Sequence, residues 1–357
     1  MPIFDQGYQH WSGQLSGHAW RWLAITQHGV RVALSNNWTR GVLYLAFLPA
    51  VILSFVLCLW SLVERQSDLI ASVLPLLSSF LDRPIIAGPR DYRIEIWTLC
   101  YSYFLLTQLR VSMLLILLVG PNLISQDLRF NALPLYLSRP LRRIDYLLGK
   151  LGVIVAFLGM VIILPSIVAY ILGITFSLDI TTLRDTLGIL LASIAYGLVI
   201  AISAGTLVLA LSSLARSSRY VVLMWLGVWF VSSAIAGMLV TINHVQMAHH
   251  SPQPRGGPIN ANPQFMTQEL EAAKTDWRPL VSYTENLSRI GRELLGTDAC
   301  WQRIANLRPE AQKDLLLMAT TRNSLYPWYW SAAVLAVLFA LSAWILNFSI
   351  KSLDRLK

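Results

Sequence analysis

The chain has 357 residues, of which 55% are apolar and only 13% charged, with a net charge of +9 and a mean hydropathy of +0.55. A soluble enzyme of this length would carry more charge on its surface, so that class is excluded. The basic excess would suit nucleic acid, but no basic stripe interleaved with aromatic residues occurs, and nucleic acid is excluded as a partner.

The first 40 residues hold no short apolar run ending in a small-residue cleavage site, so no leader peptide is expected. Residues 18–36, HAWRWLAITQHGVRVALSN, set Trp22, Ile25, Val32 and Leu34 among Arg21, Arg31 and polar residues. The pattern reads as an interfacial helix on the inner leaflet, with an ordinary cytosolic helix as the alternative. Beyond it, six apolar runs match the length that a bilayer core demands. They cover approximately 41–63, 97–122, 148–174, 186–212, 219–241 and 327–349. The expected fold is therefore an all-α polytopic membrane protein with six transmembrane helices. Gln108 and Arg110 interrupt the second run, and the turn LARSSRY joins the fourth and fifth as a tight hairpin.

Two connections stand out. Within 64–96 the stretch LIASVLPLLSSFL is too short to span and too apolar for a free loop, so it is expected at the outer interface or against the bundle. The connection 242–326 opens with HHSPQPRGGPINANPQ, a Pro- and Gly-rich linker, and turns helical in composition from about Gln264. Residues 264–323 are expected to form a small, mainly helical extracytoplasmic insertion. Cys300 is its only cysteine, which excludes a disulfide within it.

Charge sets the orientation. With the N-terminus inside, segments 1–40, 123–150, 212–219 and 350–357 carry 13 basic and 4 acidic residues. The outer segments 64–96, 175–186 and 242–326 carry 14 basic and 15 acidic ones. The positive-inside rule then gives both termini inside. Trp328 and Trp330 in YPWYW would sit at the outer headgroup level, and Trp20, Trp22 and Trp38 at the inner one. The chain thus divides into a cytoplasmic N-terminus over residues 1–40, five spans with an inner segment 123–150 over 41–241, the insertion 242–326, and a sixth span with its tail over 327–357. The placement is a plasma membrane, as in a bacterial inner membrane.

Few residues carry chemistry. No G-x-x-x-x-G-K-[ST] occurs, and the GK of Gly149–Lys150 lacks the rest of the pattern, so the chain is not expected to hydrolyse ATP. No catalytic residue, metal or cofactor is expected in the chain itself. His244, His249 and His250 read as a solvated loop. Arg110 falls near mid-membrane, where a cation faces a pathway or hydrogen-bonds to neighbours such as Gln108; no Asp or Glu lies inside a span to pair with it. Ser193, Gly197, Ala201 and Gly205 recur every four residues and form one small-residue face, for a neighbouring span or for a dimer seam.

The inner segment 123–150 reads LISQDLRFNALPLYLSRPLRRIDYLLGK. Its leucines and Phe130 need burial, while Arg139, Arg142 and Arg143 need anionic lipid or an acidic partner. Lipid anchoring alone accounts for the charge. It leaves unexplained the order of an acidic residue after the second span, a Leu-rich stretch, S-R-P-L-x-R, and Y-x-L-G-K opening the third span. Asp127, Leu135, Leu137, Ser138, Arg139, Pro140, Leu141, Arg143, Tyr146, Leu148, Gly149 and Lys150 carry that order, which resembles the inner loop of the ABC type-2 permease family. Asp127 stands where that family more often has Glu, and 242–326 is longer than the short re-entrant segment the resemblance leads one to expect.

The resemblance implies an exporter permease moving an amphipathic or lipid-linked substrate outward. It also implies two copies of a separate ATPase subunit carrying ATP and Mg, and a second permease as homodimer or heterodimer partner. Asp127, Arg129, Arg139, Pro140, Arg142, Arg143, Tyr146, Gly149 and Lys150 would couple to the ATPase, and Arg110 would belong to the translocation pathway. The competing reading is a membrane scaffold or sensor that binds an extracytoplasmic partner through 242–326.

Overall fold

The computed structural model describes residues 20–65, 83–132, 142–177, 179–250, 271–321 and 325–354. Among them every regular element is helical. In chain order these are α1 (Arg21–Leu34), α2 (Asn37–Glu64), α3 (Arg83–Ala87), α4 (Arg93–Val119), α5 (Asn122–Arg129), α6 (Arg143–Leu158), α7 (Leu164–Ser177), α8 (Ile180–Leu214), α9 (Ser218–Leu226) and α10 (Ser232–His250). The connection before the last span holds α11 (Tyr283–Leu295), α12 (Thr297–Ala305) and α13 (Glu310–Thr321), and α14 (Trp328–Asp354) closes the chain.

Six helical stretches are long and apolar enough to cross a membrane: Asn37–Glu64, Pro89–Arg129, Arg143–Ser177, Ile180–Leu214, Ser218–Asn243 and Trp328–Ser349. Each coincides with one of the six expected runs. Local chemistry sets their starts. The Asn36 side chain accepts from the Trp38 amide to open α2, and Asp179 does the same for Thr181 at α8. Turns of π-helix at Gly159–Ile163 and Gly227–Val231 interrupt the third and fifth spans, joining α6 to α7 and α9 to α10.

The fourth span, α8, packs against α4, α5, α6, α7, α11 and α14, and α2 lies along α7 and α4. Close approaches use small residues. A Cβ on Gly197 would meet Ile162 and Ile163 at 3.1 Å, and one on Gly205 would meet Leu151 at 2.6 Å. The face of Ser193, Gly197, Ala201 and Gly205 is buried, and its glycines meet the third span.

A buried ion cluster ties three spans at one end of the bundle. Arg93 donates to Glu64 at 2.8 Å, Asp185 at 3.1 Å and Asp179 at 3.3 Å, and to the Thr181 hydroxyl at 3.0 Å. The Arg93 and Glu64 side chains are only 5% and 4% exposed, so neither charge has water to fall back on. The Thr181 hydroxyl and amide, and then Arg93, hold the Asp179 carboxyl below its usual range. Its contribution is therefore complete at neutral pH and fades as the pH falls below about 4.

Two features of the connection 242–326 bear on the expected linker and helical insertion. The helix begun in the fifth span runs on to His250, so His244, His249 and His250 fall on a helix, not in a loop. Further on, α11 packs against α4, α8, α10 and α14 inside the bundle. Tyr283, Leu287, Gly291 and Leu295, spaced by four, form its buried face. The Tyr283 hydroxyl lies 3.0 Å from Ser203 Oγ, and its ring meets that of Trp225 at 6.2 Å. The turn before α11 is satisfied by side chains: Ser233 Oγ lies 3.0 Å from Ser282 Oγ, and Asn286 donates to the Leu280 and Ser282 carbonyls at 2.7 Å. Buried backbone outside a regular ladder needs such partners. The stretch LIASVLPLLSSFL lies outside the described residues.

Arg93→Met would strand buried Glu64, and a loss of about 3 kcal/mol is expected. Thermal unfolding in detergent should show a lowered midpoint for this variant, and partial recovery when Glu64→Gln is added.

Candidate functional site at the junction of the second and third spans

At the opposite end of the bundle, the second span turns into α5 through Gly120 and Pro121. Gly120 is required there, because a Cβ would meet Val208 Cγ2 at 2.6 Å. Ser212 of the fourth span holds the first turn of α5. Its hydroxyl oxygen accepts from the Ile124 and Ser125 amides at 3.1 and 3.0 Å, and its hydroxyl donates to the Pro121 carbonyl at 3.0 Å. Ser125 also bonds the Pro121 carbonyl and lies 2.9 Å from Ser218 Oγ of the fifth span. Four orphan amides open any helix, and two of these are capped from another span. The helix ends at Asn131, whose φ of 49° is left-handed, with the Ala132 amide returning to the Asp127 carbonyl at 2.9 Å.

Asp127, on the last turn of α5, bridges to α6. Its Oδ2 accepts from the Tyr146 hydroxyl at 2.7 Å and pairs with Lys150 Nζ at 2.7 Å. The Lys150 ammonium also lies 5.5 Å from the Tyr146 ring centroid. Lys150 and Asp127 side chains are 12% and 14% exposed, so the pair is largely withdrawn from solvent screening. Asp127, Tyr146 and Lys150, 23 positions apart at the extremes, thus meet in one cluster. The short reach of Asp suffices to place Oδ2 against both groups of α6.

The other side of this turn of α6 seats α1. A Cβ on Gly149 would meet Ile25 at 2.7 Å and the Trp22 carbonyl at 3.0 Å, and one on Gly152 would meet Thr26 Oγ1 at 2.4 Å. The buried Thr26 hydroxyl donates to the Gly149 carbonyl at 3.0 Å. The expected helix near residue 20 is therefore docked on the third span.

The junction presents charge and an aromatic ring outward. Arg129, Phe130, Arg142 and Arg143 are exposed, Phe130 at 73%, with the Arg129 guanidinium 5.6 Å from the Phe130 centroid. The Arg142 amide donates to Asp145 Oδ2 at 3.2 Å, starting α6. Arg139 and Pro140 lie outside the described residues.

Arg110 is far from this cluster, exposed on the second span. Gln108, its expected neighbour, donates to the Ala46 carbonyl at 2.7 Å, close to Pro49 of the first span. Burial pushes the Glu285 carboxyl of α11 up, and the charges of Arg292 and then Arg110 oppose this. A carboxylate thus comes within reach of the Arg110 charge where the spans alone offer none, because α11 packs against the second span. Ser212 and Ser218 are neighbours of the junction that the sequence does not single out, since serines in LSSLARSSR carry no signal of a cap across spans.

A family model described as ABC-2 family transporter protein matches residues 42–350. No curated protein matches the chain.

Gly149→Val is expected to dislodge α1, read as tryptic cleavage at Arg31 about tenfold faster. Gly159→Val is the control, since a Cβ there meets nothing within 4 Å and the rate should be unchanged.

Proposed function

This chain belongs to the ABC-2 family of transporter proteins, and we propose that it is the permease subunit of an exporter driven by a separate ATPase docked on segment 123–150. Family and spans make it a multi-pass membrane component, for which an ABC ATPase is the implied partner. The observation that carries the docking site is the shared Asp127 oxygen, which locks α5 to the start of the third span. The contact ties the last turn of α5 to the first turns of α6, so that a push on either helix reaches the other. Exposed Arg129, Phe130, Arg142 and Arg143 supply what an acidic and apolar cleft would grip.

In this reading the Lys150 end faces the cytoplasm, both termini are inside, and the Arg93 end faces outward. ATP and Mg sit on two ATPase copies, and two permeases, identical or related, form the pathway. Nucleotide-driven closure of the ATPases moves α5 and the third span together. An amphipathic or lipid-linked substrate leaves outward, with Arg110 and Glu285 at its side. The π turns in the third and fifth spans are places where those helices can change their winding.

The test is co-purification with an ATPase encoded beside this chain, comparing the wild type with Arg142→Glu/Arg143→Glu. The double variant should keep its fold and lose ATPase affinity by about tenfold or more. Equal binding and turnover would place the ATPase elsewhere. Arg110→Gln should lower substrate-stimulated ATPase activity while leaving assembly intact, and unchanged stimulation would make Arg110 purely structural.

A further inference from the structure

A cavity of about 480 Å³ lies between the second span, the middle of the fourth, and the α11–α13 connection. That volume falls within the range of small-molecule sites, about 300–1,000 Å³. Its walls are divided by chemistry. Tyr103, Leu106, Tyr196, Leu295 and Trp301 supply rings and aliphatic surface, and Arg292 supplies the charge of the wall.

The space has a cause in sequence. Ser288, Gly291, Arg292 and Leu295 share one face of α11 by their helical spacing. The first two are small. Gly291 sits so near the Tyr196 ring that a Cβ would lie 2.6 Å from its Cζ. The helix is therefore clamped to the fourth span at Gly291 while Ser288 leaves room towards the second span. Tyr103, 59% exposed, stands at the outer face of the second span and marks a lateral mouth.

Arg292 is held in position without being used up. Its Nη2 donates to the Thr320 carbonyl, and its Nε lies 3.6 Å from Asp298 Oδ1. A guanidinium has five N–H donors in a planar fork, so donors remain for an incoming oxyanion. Fixing the fork beforehand removes part of the ordering cost of binding.

We propose that this cavity binds a single-chain amphipathic anion, with its carboxylate on Arg292 and its apolar body against Tyr103, Leu106, Tyr196, Leu295 and Trp301. The site belongs to one copy of the chain and stands whether or not segment 123–150 docks an ATPase. Entry is sideways, past Tyr103, as suits a molecule already dissolved in the membrane.

The test uses the full chain in phosphatidylcholine vesicles. The probes are a diazirine-bearing fatty acid and the matching fatty alcohol, with labelled peptides read by mass spectrometry. The carboxylate probe should label the peptides holding Tyr103 and Trp301 and be displaced by unlabelled fatty acid. Arg292→Gln should weaken that labelling about tenfold, leave the alcohol probe unaffected, and be partly relieved in Arg292→Lys. Ser288→Trp, which fills the cavity, should abolish labelling by both probes. Leu106→Trp fills it from the facing helix and serves if the first variant fails to fold. Equal labelling by acid and alcohol in the wild type would overturn the proposal. So would labelling that survives both filling variants, or label spread evenly over the exposed faces of the first and fifth spans.

Discussion

One oxygen atom, Oδ2 of Asp127, joins the second span to the third by accepting the Tyr146 hydroxyl and facing the Lys150 ammonium at 2.7 Å each. A carboxylate, a phenol and an ammonium so placed satisfy one another away from solvent, where leaving any one unpaired is expensive. Everything else at that end of the bundle is arranged around this contact. Ser212 fixes the first turn of α5 from the fourth span, and Gly149 lets α1 lie against the turn that carries Lys150. The N-terminal helix and the fourth span are thus coupled to the junction by short, directional contacts. Such a junction supports the reading of 123–150 as the place where an external motor acts, because a soft loop would dissipate the push.

The two ends of the bundle are closed by related means. At the far end Arg93 gathers Glu64 from the first span and Asp179 and Asp185 from the start of the fourth, and Arg303 of α12 bonds Glu95. Between the clamps, the contacts are of a different kind: glycine against isoleucine or tryptophan, and hydroxyls bonded to carbonyls, such as Tyr101 to Ser166 at 2.8 Å. Apolar helix surfaces gain nothing from leaving lipid, so close packing and local hydrogen bonds hold this middle zone. Polar ends with a van der Waals middle permit helices to tilt or shift together while the end contacts keep their register.

The spans are legible in the sequence because the hydrocarbon layer imposes a length and a polarity that composition cannot disguise. The junction is legible in part. Asp127, Tyr146, Gly149 and Lys150 stand in a recognisable order, but that the first, second and fourth meet at one oxygen depends on the angle between α5 and α6. The place of α11 is not legible. Arg289, Arg292, Glu285 and Glu293 make SYTENLSRIGRELLG read as a surface helix, and only the four-residue spacing of Tyr283, Leu287, Gly291 and Leu295 hints at a buried face. Its charges are accommodated by partners on several elements: Arg289 by the Tyr326 carbonyl at 3.0 Å and by Glu293 at 3.1 Å, and Arg292 by Thr320 and Asp298. For the same reason the carboxylate within reach of the Arg110 charge escapes a reading of the spans, since Glu285 belongs to α11, outside any apolar run. The π turns at Gly159–Ile163 and Gly227–Val231 leave no mark on hydropathy.

The most direct measurement of the central claim is site-specific photo-crosslinking from positions 130 and 142 in native membranes, with a lipid-facing position such as Phe55 as the control. The account predicts that probes at Phe130 and Arg142 capture an ABC ATPase from the cytoplasmic side, with a yield that changes when nucleotide is added, and that the probe at Phe55 does not. Capture of lipid alone from Phe130 and Arg142, or labelling of those positions from the outside, would contradict it.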